Sequence, residues 1–107
     1  MEFSYYYSEG TKTDEGFING KTSDPNEVKN LLDKLTKPKS CVSISSPERD
    51  YNIDFWCLDD GRIEMEIIAE CDDKFACFDI PMAKQVVDVI FRLTGKNRSL
   101  SYCNNFP

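Results

Sequence analysis

Between Tyr51 and Glu70 the chain alternates apolar and polar residues in two runs separated by Asp59-Asp60-Gly61, and nothing else in the sequence restricts its fold so tightly. Ile53, Phe55 and Cys57 alternate with Asn52, Asp54 and Trp56; Ile63, Met65 and Ile67 alternate with Glu64, Glu66 and Ile68. Period-two runs joined by a turn read as a hairpin. A slip of one residue would turn every side chain to the other face, so the pattern also sets the register. A two-residue loop at Asp60-Gly61 would place Phe55 opposite Glu66 and scramble both faces. A three-residue loop, Asp59-Asp60-Gly61 as a type I turn closed by a left-handed glycine, pairs Cys57 with Ile63, Phe55 with Met65 and Ile53 with Ile67. The opposite face then pairs Trp56 with Glu64 and Asp54 with Glu66.

The next hairpin is expected to turn at Asp72-Asp73, pairing Ile67 with Phe78, Ala69 with Ala76, Met65 with Ile80 and Glu66 with Asp79. In that register Asp54, Glu66 and Asp79 form a row on three neighbouring strands, with Trp56 and Glu64 one level away. Like charges directly opposite across strands are unfavourable. The row therefore points to a positively charged partner or a metal ion, set against the plainer reading of a solvated outer face.

Charge along the chain follows the same division. Eleven of the 19 carboxylates lie between Glu48 and Asp79, against Arg49, Arg62 and Lys74 alone, while the whole chain carries -6. Such a surface repels phosphates and argues against nucleic-acid binding; it favours a basic protein partner, because complementary fields speed encounter.

Around the meander, Phe3, Tyr5 and Tyr7 alternate with polar neighbours as a first strand, and residues 9–23, polar and holding three glycines, read as a loop in which Phe17-Ile18 pairs only briefly. Asp24-Pro25 with Glu27 is an N-cap, a first-turn proline and the returning carboxylate of a capping box. The helix that follows carries Val28, Leu31, Leu32 and Leu35 on one stripe and Lys29, Asn30, Asp33 and Lys34 toward water. Cys41 to Ser45 is a short strand with Val42 and Ile44 inward. Pro81 opens a second helix through Thr94, with Met82, Val86, Val89, Ile90 and Leu93 as its buried stripe and Gly95 as its stop. Val87 and Phe91 lie to one side, facing either the first helix or a dimer partner. A last strand spans residues 98–103.

The order strand, helix, four strands, helix, strand gives a single α+β domain over residues 1–107, with one mostly antiparallel sheet and two helices packed on one face. The other face is left bare and acidic. Trp56 stands in it as a binding anchor or lies beneath residues 9–23.

Other chemistry finds little support. The chain has no histidine, which removes imidazole ligands and His-based relays. Its five cysteines form no Cys-x-x-Cys unit and read as reduced thiols, with Cys57 a small apolar core residue. No Gly-rich loop cradles a phosphate and Asp59-Asp60-Gly61 is too short for a calcium loop, so no cofactor and no metal is expected. No apolar run approaches the roughly 20 residues of a membrane span, and Met1-Glu2-Phe3-Ser4-Tyr5 lacks the pattern of a secretory signal. A cytoplasmic protein without membrane contact is expected.

Asp24-Pro25 opening a short amphipathic helix, a central meander, Pro81-Met82-Ala83 through Thr94-Gly95, and Ser101-Tyr102-Cys103 near the end together resemble immunity proteins of bacterial contact-dependent and polymorphic toxin systems. The resemblance spans most of the chain and rests on element order, not on a fixed motif. It implies tight, stoichiometric inhibition, without chemistry by the inhibitor, through occlusion of the basic cleft of a toxin, many of which are nucleases; the chain itself is expected to be a monomer or weak dimer. The contact residues expected from the acidic face are Asp54, Trp56, Asp59, Asp60, Glu64, Glu66, Asp72, Asp73 and Asp79. Two other readings compete: a dimeric secretion or effector chaperone, and a metal-dependent phosphoryl-transfer enzyme using Asp54, Glu66 and Asp79.

Overall fold

The computed structural model describes residues 2–10, 18–48, 50–69 and 73–97. Six strands, β1 (Phe3–Ser8), β2 (Ile18–Thr22), β3 (Cys41–Ser45), β4 (Tyr51–Cys57), β5 (Ile63–Ala69) and β6 (Asp73–Phe78), form one sheet, every neighbouring pair antiparallel, in the spatial order β2-β1-β3-β4-β5-β6. Helices α1 (Pro25–Leu32) and α2 (Ile80–Asn97) pack on one face. The expected α+β architecture is therefore present; the expected last strand lies outside the described residues.

The β4–β5 register is the one the alternation demands, from Tyr51 opposite Ala69 to Cys57 opposite Ile63. Its turn closes as expected, with Gly61 at φ +88° and its N–H donating to the Leu58 carbonyl at 3.0 Å. Ile44, Ile53 and Ile67 fall in one inner row and Val42, Phe55 and Met65 in the next. All but the partly exposed Ile67 are buried. These side chains, with Val28, Leu31, Leu32 and Leu35 of the α1 region, are the core.

β2 corrects the reading of residues 18–22 as loop. This edge strand pairs along its length with β1, and Gly20 sits opposite Tyr5. A Cβ on Gly20 would lie 2.6 Å from Tyr5 Oη and 2.8 Å from Cζ, so the ring covers the glycine. Polar composition suits a sheet edge and hides the strand from pattern reading.

The α1 cap also differs from a simple capping box. Asp24 Oδ1 accepts from the Asn26 N–H at 2.9 Å, but Glu27 accepts from the Thr22 hydroxyl at 2.8 Å while the Asp24 N–H donates to Thr22 Oγ1 at 2.9 Å. The buried Thr22 thus stands between the two ends of the box and fastens β2 to α1.

α2 is rotated relative to the expected stripe. Ala83 and Val87 are fully buried and Val86 and Ile90 of the expected stripe pack partly buried against the core, whereas Met82, Val89 and Leu93 are 46, 40 and 41% exposed. Three contacts hold this rotation: Lys29 Nζ to Asp88 Oδ2 at 2.9 Å, Lys84 Nζ to Asp33 Oδ1 at 2.8 Å, and the Phe91 ring against Phe3 with centroids 4.2 Å apart. Lys29 and Asp33, expected to face water, instead bridge the helices. Gly95 does not stop α2, which continues to Asn97; one glycine costs a helix interior only about 1 kcal/mol.

Candidate acidic interface

Because both helices occupy one face, the other carries the polar half of each strand and no described element lies across it. Its central row runs Asn19, Tyr6, Ser43, Asp54, Glu66, Phe75; the row beside it runs Ser8, Cys41, Trp56, Glu64, Cys77. Asp54 and Glu66 are therefore side by side, with Trp56 and Glu64 side by side one level away, as the alternation predicts.

The third member of the predicted row is not there. β6 pairs with β5 four residues out of the expected register: Phe78 faces Ile63, Ala76 faces Met65, and Phe75, not Asp79, stands beside Glu66. Asp79 lies beyond the strand, where its Oδ1 accepts from the Met82 N–H at 2.9 Å and caps α2. The physical reason is competition between a strand and a helix start. Pairing Met65 with Ile80 needs Ile80 extended, but Asp79 as cap with Pro81 in the first turn places Ile80 in the helix. The expected Asp72-Asp73 turn is displaced as well, since Asp73 pairs with Ile68 in β6; Asp72 lies outside the described residues.

Asp73 takes the vacated role from a different position. It lies diagonally from Glu66 on the same face, and the two carboxyl groups share a hydrogen bond. Partial desolvation, the charge and hydrogen bond of Asp73, and the charges of Asp54 and Glu64 together push the Glu66 carboxyl above its ordinary pKa. Asp54 is steadied from the other side, its Oδ1 accepting from the Ser43 hydroxyl at 2.6 Å. The acidic centre is therefore Asp54, Glu66, Asp73 and Glu64, flanked by Trp56 at 37% exposure and Phe75 at 60%. Asp73 was legible as a turn acid but not as a neighbour of Glu66, because that depends on where β6 begins. Phe75 was not singled out by the sequence reading, and its position beside Glu66 follows from the same register.

At the end of the face, the β4–β5 turn and Lys39 border an open cleft of about 510 Å³, with Trp56 and Glu64 in its lining. Its frame is backbone: Lys39 N–H donates to Cys57 O and Cys57 N–H to Ser40 O, both at 2.9 Å. Asp60 binds the Arg62 backbone N–H at 3.0 Å and its Nε at 2.8 Å, and these bonds hold the Asp60 carboxyl below its ordinary pKa. Asp59 is exposed at the turn. Lys39, at φ +72°, has a left-handed backbone that is unusual for a side chain other than Gly, Asn or Asp.

No family model, curated protein or solved structure matches this chain. Among the described residues no group of three or more His, Cys, Asp or Glu side chains is placed to hold a metal ion, and with Asp79 engaged at α2 the set Asp54, Glu66 and Asp79 does not assemble. No described helix is long and apolar enough to cross a membrane.

Proposed function

We propose that this protein is a non-enzymatic inhibitor that binds a basic protein through the outer face of its sheet. The closest functional class is a cytoplasmic immunity protein that neutralises a bacterial toxin, such as a nuclease, by stoichiometric occlusion of its basic cleft. One observation carries the reading. Asp54, Glu66, Asp73 and Glu64 are gathered where neither helix covers them, at an electrostatic cost that folding does not repay. A cationic surface would reverse that cost, and the aromatic flanks Trp56 and Phe75 supply apolar area of the kind enriched at interface centres. Asp59 and Asp60 extend the negative field along the rim, where charge acts on the association rate more than on affinity.

The test uses immobilised protein and extract of the source cell. A basic protein should be retained at low salt, released as salt rises, and have its activity titrated to zero at a fixed molar ratio. The combined Asp54→Asn, Glu66→Gln, Asp73→Asn variant should no longer hold it. Retention unchanged by that variant removes the proposed face.

One observation favours a second reading, the dimeric secretion chaperone. Met82, Val89 and Leu93 leave an apolar stripe exposed on α2. The dimer contact expected through Val87 and Phe91 is not available to it, because Val87 is buried within the fold and Phe91 packs on Phe3. Sedimentation separates the two readings: a stable dimer with salt-indifferent binding belongs to the chaperone.

A further inference from the structure

Within the proposed interface the Trp56 cleft differs from the rest of the acidic face, because it is a shallow depression with a backbone-bonded frame. We infer that it seats one arginine side chain of the basic partner, the guanidinium lying on the indole of Trp56 and donating to the carboxylates of Glu64 and Asp59. This rests on the reading of the outer face as a protein-binding surface and specifies what that surface recognises.

Shape is the first argument. The cleft is a shallow, open depression of about 510 Å³, with more room than one side chain fills, so a side chain from a docked partner enters it unobstructed. Rigidity is the second. Two backbone bonds between residues 39–40 and Cys57 join the cleft's two sides, and the Leu58 N–H to Arg62 O bond at 2.9 Å closes the turn. A frame set before binding loses little conformational freedom on binding.

Chemistry decides between possible guests. An indole face attracts a cation, and arginine more often than lysine occupies such a position because its planar guanidinium stacks while its edges still donate hydrogen bonds. Glu64 stands directly across from Trp56 on the neighbouring strand, within one cross-strand spacing of the ring, so one planar group can meet both. Of the two cations in the lining, the Arg62 guanidinium is held by Asp60 through one bond, Nε to Oδ2 at 2.8 Å, and also lies in the field of Glu64, so a guest shares Glu64 with Arg62 and meets Asp59 beside it. Lys39 stands at the cleft as the remaining positive charge and disfavours a guest that approaches from its side.

Trp56 is the only tryptophan in the chain and so reports on its own site. The probes are the capped tripeptide acetyl-Gly-Arg-Gly-amide and its lysine and citrulline counterparts, titrated at low salt and read by Trp56 fluorescence and by backbone amide shifts of residues 56–64. Saturable binding of the arginine peptide is expected, several-fold weaker binding of the lysine peptide, and no saturation with citrulline, which keeps the shape but not the charge. Glu64→Gln should weaken the arginine peptide about tenfold with the circular dichroism spectrum unchanged, and Trp56→Leu, read by amide shifts, should do the same. Equal response to arginine and citrulline, or wild-type binding by both variants, overturns the inference. Its failure is distinguishable from failure of the interface: a partner released by the Asp54, Glu66, Asp73 variant but held normally by Trp56→Leu leaves the interface standing and removes the arginine seat.

Discussion

The contact between Phe3 and Phe91 is where the rotation of α2 can be tested with a number. Phe3 begins β1 and is 2% exposed; Phe91 lies in the second half of α2, and their rings meet at 4.2 Å with planes inclined by 31°. Replacing either ring by leucine keeps most of the apolar area, so each single variant should lose about 1–1.5 kcal/mol through imperfect refilling of the space. The double variant loses the ring-to-ring preference only once, so the coupling should be about 0.5–1.5 kcal/mol. A chain of 107 residues has a total stability of roughly 5–15 kcal/mol, so all three variants should fold. Urea unfolding followed by far-ultraviolet circular dichroism gives the four free energies, with the denaturant slope held constant across the set. Strictly additive losses, with coupling below about 0.3 kcal/mol, would refute the contact. That result would favour the alternative rotation, with Met82, Val89 and Leu93 inward.

Three further outcomes follow from the geometry. Gly20→Ala should destabilise the protein by about 1–3 kcal/mol in the same urea assay, because the new methyl meets the Tyr5 ring and that ring, packed against the core, must move aside. Glu66→Gln should raise the urea midpoint at neutral pH and lose its advantage on acidification. The folded-state pKa of Glu66 is raised above the unfolded value by partial burial and by Asp73, Asp54 and Glu64, so the folded form gains relative stability as pH falls through that pKa; a midpoint difference independent of pH would contradict this. Peptide mapping after brief alkylation should find exposed Cys77 modified and buried Cys41 and Cys57 protected. Burial, then the charge of Asp54, pushes the Cys41 thiol up to about 12, so its share of stability falls as pH rises from about 9, where an unfolded thiol ionises, toward 12.

The parts of this fold that could be read in advance are those where two independent signals agree. In β4 and β5, apolar alternation and the Asp59-Asp60-Gly61 turn both specify the same register, and the structure has it throughout. For β6 the alternation fixed only which side chains share a face; a shift of four residues preserves that phase, and the deciding signal was Asp79 with Pro81 as the start of a helix. α2 was legible only in part for a related reason: Val86 and Ile90 pack against the core as expected, but Met82, Val89 and Leu93 do not. Ile80, Met82, Ala83, Val86, Val87, Val89, Ile90, Phe91 and Leu93 leave little of its circumference polar, so helical periodicity alone could not choose the buried arc. The arc that is buried, Ala83 and Val87 with the partly buried Phe91, meets partners from distant parts of the chain, Phe3 among them, and the partly exposed ion pairs to Lys29 and Asp33 accompany that packing. At the acidic face, Asp54, Trp56, Glu64 and Glu66 were legible because they belong to the hairpin with two signals, whereas Asp73 and Phe75 depended on the hairpin with one.

β4 and β5 write two messages in one stretch of chain. Odd-numbered positions from Tyr51 to Cys57 and from Ile63 to Ile67 point to the helices, and the even-numbered ones between them point away. Replacement of the even set therefore leaves the odd set's packing in place, and a lineage of such chains could exchange one recognition surface for another while its folding free energy stayed within narrow bounds. Divergence of partners at constant architecture is then a property of strand geometry, available without any insertion, deletion or change of topology.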